Sequence, residues 1–155
     1  MKQVWFARID EDFALVEEML ALLPAGVEGW RPAWPGDLPL TVAELAAHLA
    51  ESFGGVCACF AKLLSLRKVE TLGLSVEESG AAMAAYRAQV REAIELMEDG
   101  DLVRVIPTYF VPEGEPFLAV LLTNWKHVNH HAHQLFIYLK LLGVPVGTRH
   151  LYRFR

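Results

Sequence analysis

Apolar residues recur at three- and four-residue spacing over much of the chain, the mark of helices that bury one face. Phe13, Val16, Met19, Leu20 and Leu23 keep this spacing after the acidic run Asp10-Glu11-Asp12, and Pro24 closes the segment. A first helix is predicted there. Residues 24 to 40 are rich in Pro and Gly and read as a loop, in which Trp30 and Trp34 suit the capping of a core. Thr41 with Glu44 three residues later makes a capping box that opens a second helix carrying Leu45, His48, Leu49, Ser52 and Phe53. Gly54-Gly55 is a place for that helix to bend or end; if it resumes, Val56 to Leu66 completes it before a connection near residues 68 to 74. Ser75 with Glu78 repeats the capping box and starts a third helix that runs through Met97.

After Glu98-Asp99-Gly100-Asp101 the pattern changes. Val103, Val105, Tyr109, Phe110 and Val111 are interleaved with Pro107, Pro112 and Gly114, which predicts an extended excursion or a short hairpin. Pro116 suits the first turn of a fourth helix, which runs to about Leu142 and stops at Gly143, with Pro145 beyond. The chain has no internal repeat and no low-complexity tract. Four helices of this kind predict an all-α fold, a four-helix bundle.

Composition narrows what such a bundle does. The chain has 155 residues, 54% of them hydrophobic and 21% charged, which fits one folded domain over residues 1–155. Lys and Arg number 14 against 19 Asp and Glu, a net charge of -5 that leaves no excess of cations for a phosphate backbone, so nucleic acid is not an expected partner. The first ten residues carry Arg8 and Asp10 where a secretion signal would be apolar, and no apolar run approaches the roughly 18 residues that span a bilayer. A cytoplasmic protein with no membrane partner is expected. Cys57 and Cys59 sit two apart in a helical segment and point about 200° apart, so they suit small core positions better than a disulfide or a zinc pair.

Four of the six histidines, His127, His130, His131 and His133, fall within one stretch of the fourth helix. Placed every 100° around that helix with His127 at 0°, Phe117, Leu121, Trp125, Val128, Leu135, Leu139 and Leu142 occupy roughly 60° to 160°, while Lys126, Asn129 and Lys140 fall near 200° to 260°. His130 and His133 therefore turn to solvent. His127 and His131 flank the core stripe, in one polar column with Asn124 and Tyr138, and Gln134 lies beside it. On the second helix His48 borders a stripe of Leu45, Leu49, Phe53 and Val56, with Glu44 and Glu51 further out. Two imidazoles at i, i+4 and a third from a facing helix can meet at one metal and leave coordination positions open, as a catalytic site requires. His48, His127 and His131 are the expected ligands. Ser52, Asn124, Gln134 and Tyr138 are candidates to support them or to touch substrate, or simply to satisfy hydrogen bonds. His150, among the arginines of the tail, is expected to be exposed and without a ligand role.

These residues carry a resemblance. Thr41-Val42-Ala43-Glu44-Leu45-Ala46-Ala47-His48-Leu49, then His127-x-x-x-His131-x-x-Gln134, then Tyr138-Leu139-Lys140-Leu141-Leu142-Gly143-Val144-Pro145 resemble the DinB/YfiT-like superfamily of metal-dependent bundles. Family members typically place Arg-Gly-Gln after the second helix-four histidine. Here Ala132 and His133 precede Gln134, which keeps the Gln, leaves the three histidines intact and removes the Arg. The resemblance implies an up-down-down-up bundle, one divalent metal with Ni or Zn first and Fe or Mn as further candidates, and a homodimer. Parallel second and third helices need the chain to travel back along the bundle, and seven residues from 68 to 74 reach at most about 25 Å. An early end of the second helix at Gly54-Gly55 would supply more chain.

The expected activity is that of a metal-dependent enzyme acting on a small-molecule substrate, either by hydrolysis or, as the resemblance to thiol-dependent relatives implies, by transfer of a low-molecular-weight thiol that the metal holds as thiolate. No inward Asp or Glu stands out as a general base, which favours the thiol reaction. The alternative is a non-catalytic dimeric bundle that binds a metal or small ligand.

Overall fold

The computed structural model describes residues 2–33, 36, 39–60, 74–108 and 110–153. Trp34, Tyr109, the stretch 61–73 and the side chains of Cys57 and Cys59 lie outside the described residues. Four long helices carry the fold: α1 (Lys2–Ala21), α2 (Val42–Phe60), α3 (Val76–Leu96) and α4 (Phe117–Leu141). Between α3 and α4 come a 3-10 turn at Asp99–Val103 and a two-residue hairpin in which β1 (Val105–Ile106) pairs antiparallel with β2 (Glu115–Pro116). A final 3-10 turn covers Thr148–His150.

Both capping boxes form. The Glu44 N–H donates to Thr41 Oγ1 and the Thr41 N–H donates to the Glu44 carboxylate. Ser75 and Glu78 do the same for α3. At the other end of α4, Gly143 takes φ +78, which an L side chain resists, and the Val144 and Gly143 N–H groups donate back to the carbonyls of Leu139 and Lys140.

Contacts between ends fix the directions of the helices. The N-terminal residues Thr41 and Glu44 of α2 and Ser75 and Glu78 of α3 line one hollow, so these two helices start side by side and run parallel. Lys2 at the start of α1 donates to the carbonyls of Ile94 and Met97 at the end of α3, which sets α1 against α3. Tyr138, late in α4, reaches the Leu40 carbonyl just before α2, so α4 opposes α2. The order is up, down, down, up. The core lies between the four: Phe6, Ile9, Phe13, Val16 and Met19 from α1, Leu45, Leu49 and Phe53 from α2, Met83 and Val90 from α3, and Phe117, Leu121, Val128, Leu135 and Leu139 from α4. Trp30 joins it edge-on against Tyr138 at 5.3 Å, the capping role its loop position predicts.

Two expectations need correction. Helix α1 does not begin after the acidic run but at Lys2, and Asp10 and Asp12 sit mid-helix on its half-buried side. They tolerate that position because partners meet them. The Asp10 carboxylate accepts two hydrogen bonds each from Arg87 and Arg91, and Asp12 accepts from Trp125 Nε1 at 2.6 Å. Nor does α2 end at Gly54-Gly55; it continues to Phe60. Gly54 is a point of close approach instead, since a Cβ there would lie 2.3 Å from Tyr86 Cβ on α3. The parallel pair packs backbone against side chain at this place.

The Arg87 and Arg91 guanidiniums hold the Asp10 carboxyl well below the usual carboxylate range. A depressed acid contributes stability that is full above its unfolded pKa and is lost as pH falls through the folded one. Asp10→Asn should therefore cost about 1–2 kcal/mol in urea unfolding at pH 7, and the difference should shrink as pH drops below about 4. Gly54→Ala should cost about 1–3 kcal/mol through overpacking and so lower the urea midpoint, and an unchanged midpoint would mean that α2 and α3 do not meet at Gly54.

Candidate metal centre

His48 comes from the middle of α2, and His127 and His131 from successive turns of α4. The antiparallel packing of the two helices brings all three to one place. Their ring centroids lie 4.8 Å (His48 to His127), 4.5 Å (His48 to His131) and 4.6 Å (His127 to His131) apart. One ligand nitrogen from each ring falls within 4.8 Å of the others. His48 Nε2 and His127 Nε2 face each other at 2.7 Å. Two bare imidazole lone pairs at that distance repel, so the gap needs a proton or a cation between them. A tetrahedral metal with bonds of about 2.0–2.1 Å would hold two such nitrogens roughly 3.4 Å apart, a small opening from what is seen. The donor set therefore fits a divalent ion that accepts neutral imidazole.

Electrostatics favour the neutral form. Burial first, and then the neighbouring His131 and His127, push the His48 imidazole down to about 4. Burial, His131 and His130 lower His127 as well. No carboxylate joins the three histidines among the described residues. All three rings are half-buried, so the site is shielded without being sealed.

The supporting candidates divide. Gln134 Oε1 lies 2.9 Å from His131 Nδ1, and its amide nitrogen donates to the Tyr138 hydroxyl at 2.9 Å. Asn124 instead donates to the Val120 carbonyl on its own helix, and the Ser52 hydroxyl donates to the His48 carbonyl. Ser52 thus steadies the turn that bears His48, while no described contact links Asn124 to an imidazole. His130 and His133 are exposed, as their phase predicts. His150 is half-buried rather than exposed: its Nδ1 accepts from the Gly147 N–H and closes the last 3-10 turn.

A match over residues 8–135 to the family model described as the DinB superfamily decides the relationship. The chain belongs to the DinB superfamily. Solved structures of DinB-like proteins share its fold. A DinB-like protein from Bacillus cereus superimposes with TM-score 0.72 at 20% identity, over 94% of this chain and 93% of that one. YjoA, a DinB-like protein from Bacillus subtilis, gives TM-score 0.66 at 17% identity, over 88% and 92%. No curated protein matches this DinB-superfamily chain.

The helical phase of α2 misjudged one residue. Glu51, one turn after His48, is half-buried rather than outward, and its Oε2 is fully enclosed with no hydrogen-bond partner among the described residues. Periodicity gives only the angle at which a side chain leaves the helix, and a long side chain can fold back from there. Burial raises the Glu51 carboxyl above its ordinary value. For a raised acid the sign reverses: stability falls as pH rises from the unfolded pKa through the folded one. Glu51→Gln should melt with the native chain near pH 4 and above it at pH 7 in thermal denaturation.

Proposed function

We propose that this chain is a metal-dependent enzyme in which His48, His127 and His131 hold one divalent ion, Ni or Zn first, with Fe or Mn as further candidates. The observation that carries the reading is the meeting of three imidazoles from two helices, with nitrogens facing one space. Three imidazole ligands leave positions open to a further ligand, which a closed structural site would not. When bound, such an ion lowers the pKa of water or thiol and so generates a nucleophile near neutral pH.

The residues of the chain hold and shield that centre. His48 is kept neutral by burial, ready to donate a lone pair. Leu45 and Leu49 on α2, and Val128 and Leu135 on α4, form the apolar wall that keeps the two helices in register behind the rings. With no acid grouped with the imidazoles, transfer of a low-molecular-weight thiol is favoured over hydrolysis, because a thiol (free pKa about 8.5) gives up its proton far more readily than water (about 15.7) and so depends less on a protein base. The same reading carries a homodimer in the cytoplasm acting on a small-molecule substrate, with no nucleic-acid partner. No described helix is long and apolar enough to cross a membrane.

Protein purified without a histidine tag should contain about one divalent ion per chain, and His127→Ala should lose most of it. Unchanged metal content in that variant would sink the three-histidine centre. A panel of cellular thiols and electrophilic acceptors should show turnover that His48→Ala abolishes while the helical circular dichroism persists. No turnover on thiol or ester panels with metal bound would favour the non-catalytic bundle.

A further inference from the structure

A chain of hydrogen bonds runs from His131 to the entrance of α2. His131 Nδ1 lies 2.9 Å from Gln134 Oε1, Gln134 Nε2 lies 2.9 Å from the Tyr138 hydroxyl, and that hydroxyl lies 2.8 Å from the Leu40 carbonyl oxygen. The direction of every proton in it follows from its far end. A backbone carbonyl can only accept, so the Tyr138 O–H donates to Leu40. The Tyr138 oxygen is then left to accept, which calls for the NH₂ side of the Gln134 amide. That turns the amide oxygen toward His131, and an amide oxygen can only accept too. His131 Nδ1 must therefore carry a proton, which in the neutral ring leaves Nε2 bare.

From this we infer that Gln134 and Tyr138 are positioning residues that lock His131 in the Nδ1–H tautomer and so present Nε2 to the metal before any metal arrives. The inference rests on the metal-centre reading above and extends it. Tyr138 is well placed to anchor such a chain, being 2% exposed and stacked edge-on against Trp30. Trp30 is itself tied to α2 through its carbonyl, which accepts the Val42 N–H at 2.9 Å. The relay thus ends on the same loop that starts the helix bearing His48. Free imidazole exchanges between tautomers, and a site that waits in the wrong one must rearrange before it can bind. Outer partners that fix a ligand's orientation are worth roughly 10–100-fold in metal affinity.

The test uses two readouts on the full chain. In chelator-treated protein, the ¹⁵N shifts of the imidazole nitrogens report the tautomer of each histidine. His131 should be a single Nδ1–H species in the native chain, and a mixture in Gln134→Leu and in Tyr138→Phe. Gln134→Glu keeps an acceptor opposite Nδ1 and should restore the single species. In parallel, zinc affinity measured by competition with a chromophoric chelator should fall roughly 10–100-fold in Gln134→Leu and stay near the native value in Gln134→Glu. A residue that merely packed would not show rescue by the charged variant. The relay is overturned if native His131 is mixed or Nε2–H, or if Gln134→Leu and Tyr138→Phe both leave the Nδ1–H species intact. Should Gln134→Leu fail to fold by circular dichroism, Tyr138→Phe decides the matter alone. Native protein with the locked tautomer but no zinc affinity would remove the metal centre and leave the relay standing, whereas zinc binding with a mixed tautomer would do the reverse.

Discussion

The position and rotation of α2 govern everything that happens at the histidines. This helix is the wall shared by two neighbours, and each fixes it differently. Against α3 it lies parallel and close, with Gly54 pressed on Tyr86 where no side chain would fit. Against α4 it lies antiparallel, and His48 enters between His127 and His131. Gly54 and His48 leave the helix about 120° apart, so seating the glycine on one neighbour turns the imidazole to the other. A rotation of α2 by even a fraction of a turn would separate the rings and expose Leu45 or Phe53.

The site is built against a local cost. Three half-buried imidazoles give up hydration, and the shifts at His48 and His127 show that the charged form is suppressed. An apolar triad would pack there at less expense. What the histidines offer in return is a common focus for lone pairs, with a backing of aliphatic core that holds it steady. Two half-buried acids follow the opposite logic. Asp10 and Asp12 meet cationic or N–H partners from other helices, whereas the imidazoles mostly face one another.

Much of this was legible in the chain because helices repeat. The two capping boxes set the starts of α2 and α3, Gly143 set the end of α4, and the 100° step sorted His127 and His131 from His130 and His133. The failures came where a residue's role depends on a partner far away in sequence. Asp10 reads as a helix start until Arg87 and Arg91 are seen beside it. Gly54-Gly55 reads as a break until Tyr86 is seen against it. Glu51 and His150 were misplaced because exposure depends on neighbours as well as on phase. The link from Gln134 through Tyr138 to Leu40 spans almost a hundred residues, beyond the reach of any local pattern.

Parallel neighbours carry one more consequence. Because α2 and α3 start side by side, the positive ends of their macrodipoles are brought together, an arrangement that repels. Glu44 and Glu78, drawn into their capping boxes, have their carboxyls held below the usual range by the backbone N–H groups of Thr41 and Ser75. Glu28 adds a third acid, accepting from the Val76 N–H at the head of α3. The hollow of about 380 Å³ that these acids line belongs to helix electrostatics. Its negative charge opposes the repulsion between two helix dipoles that point the same way in the middle of the up-down-down-up order.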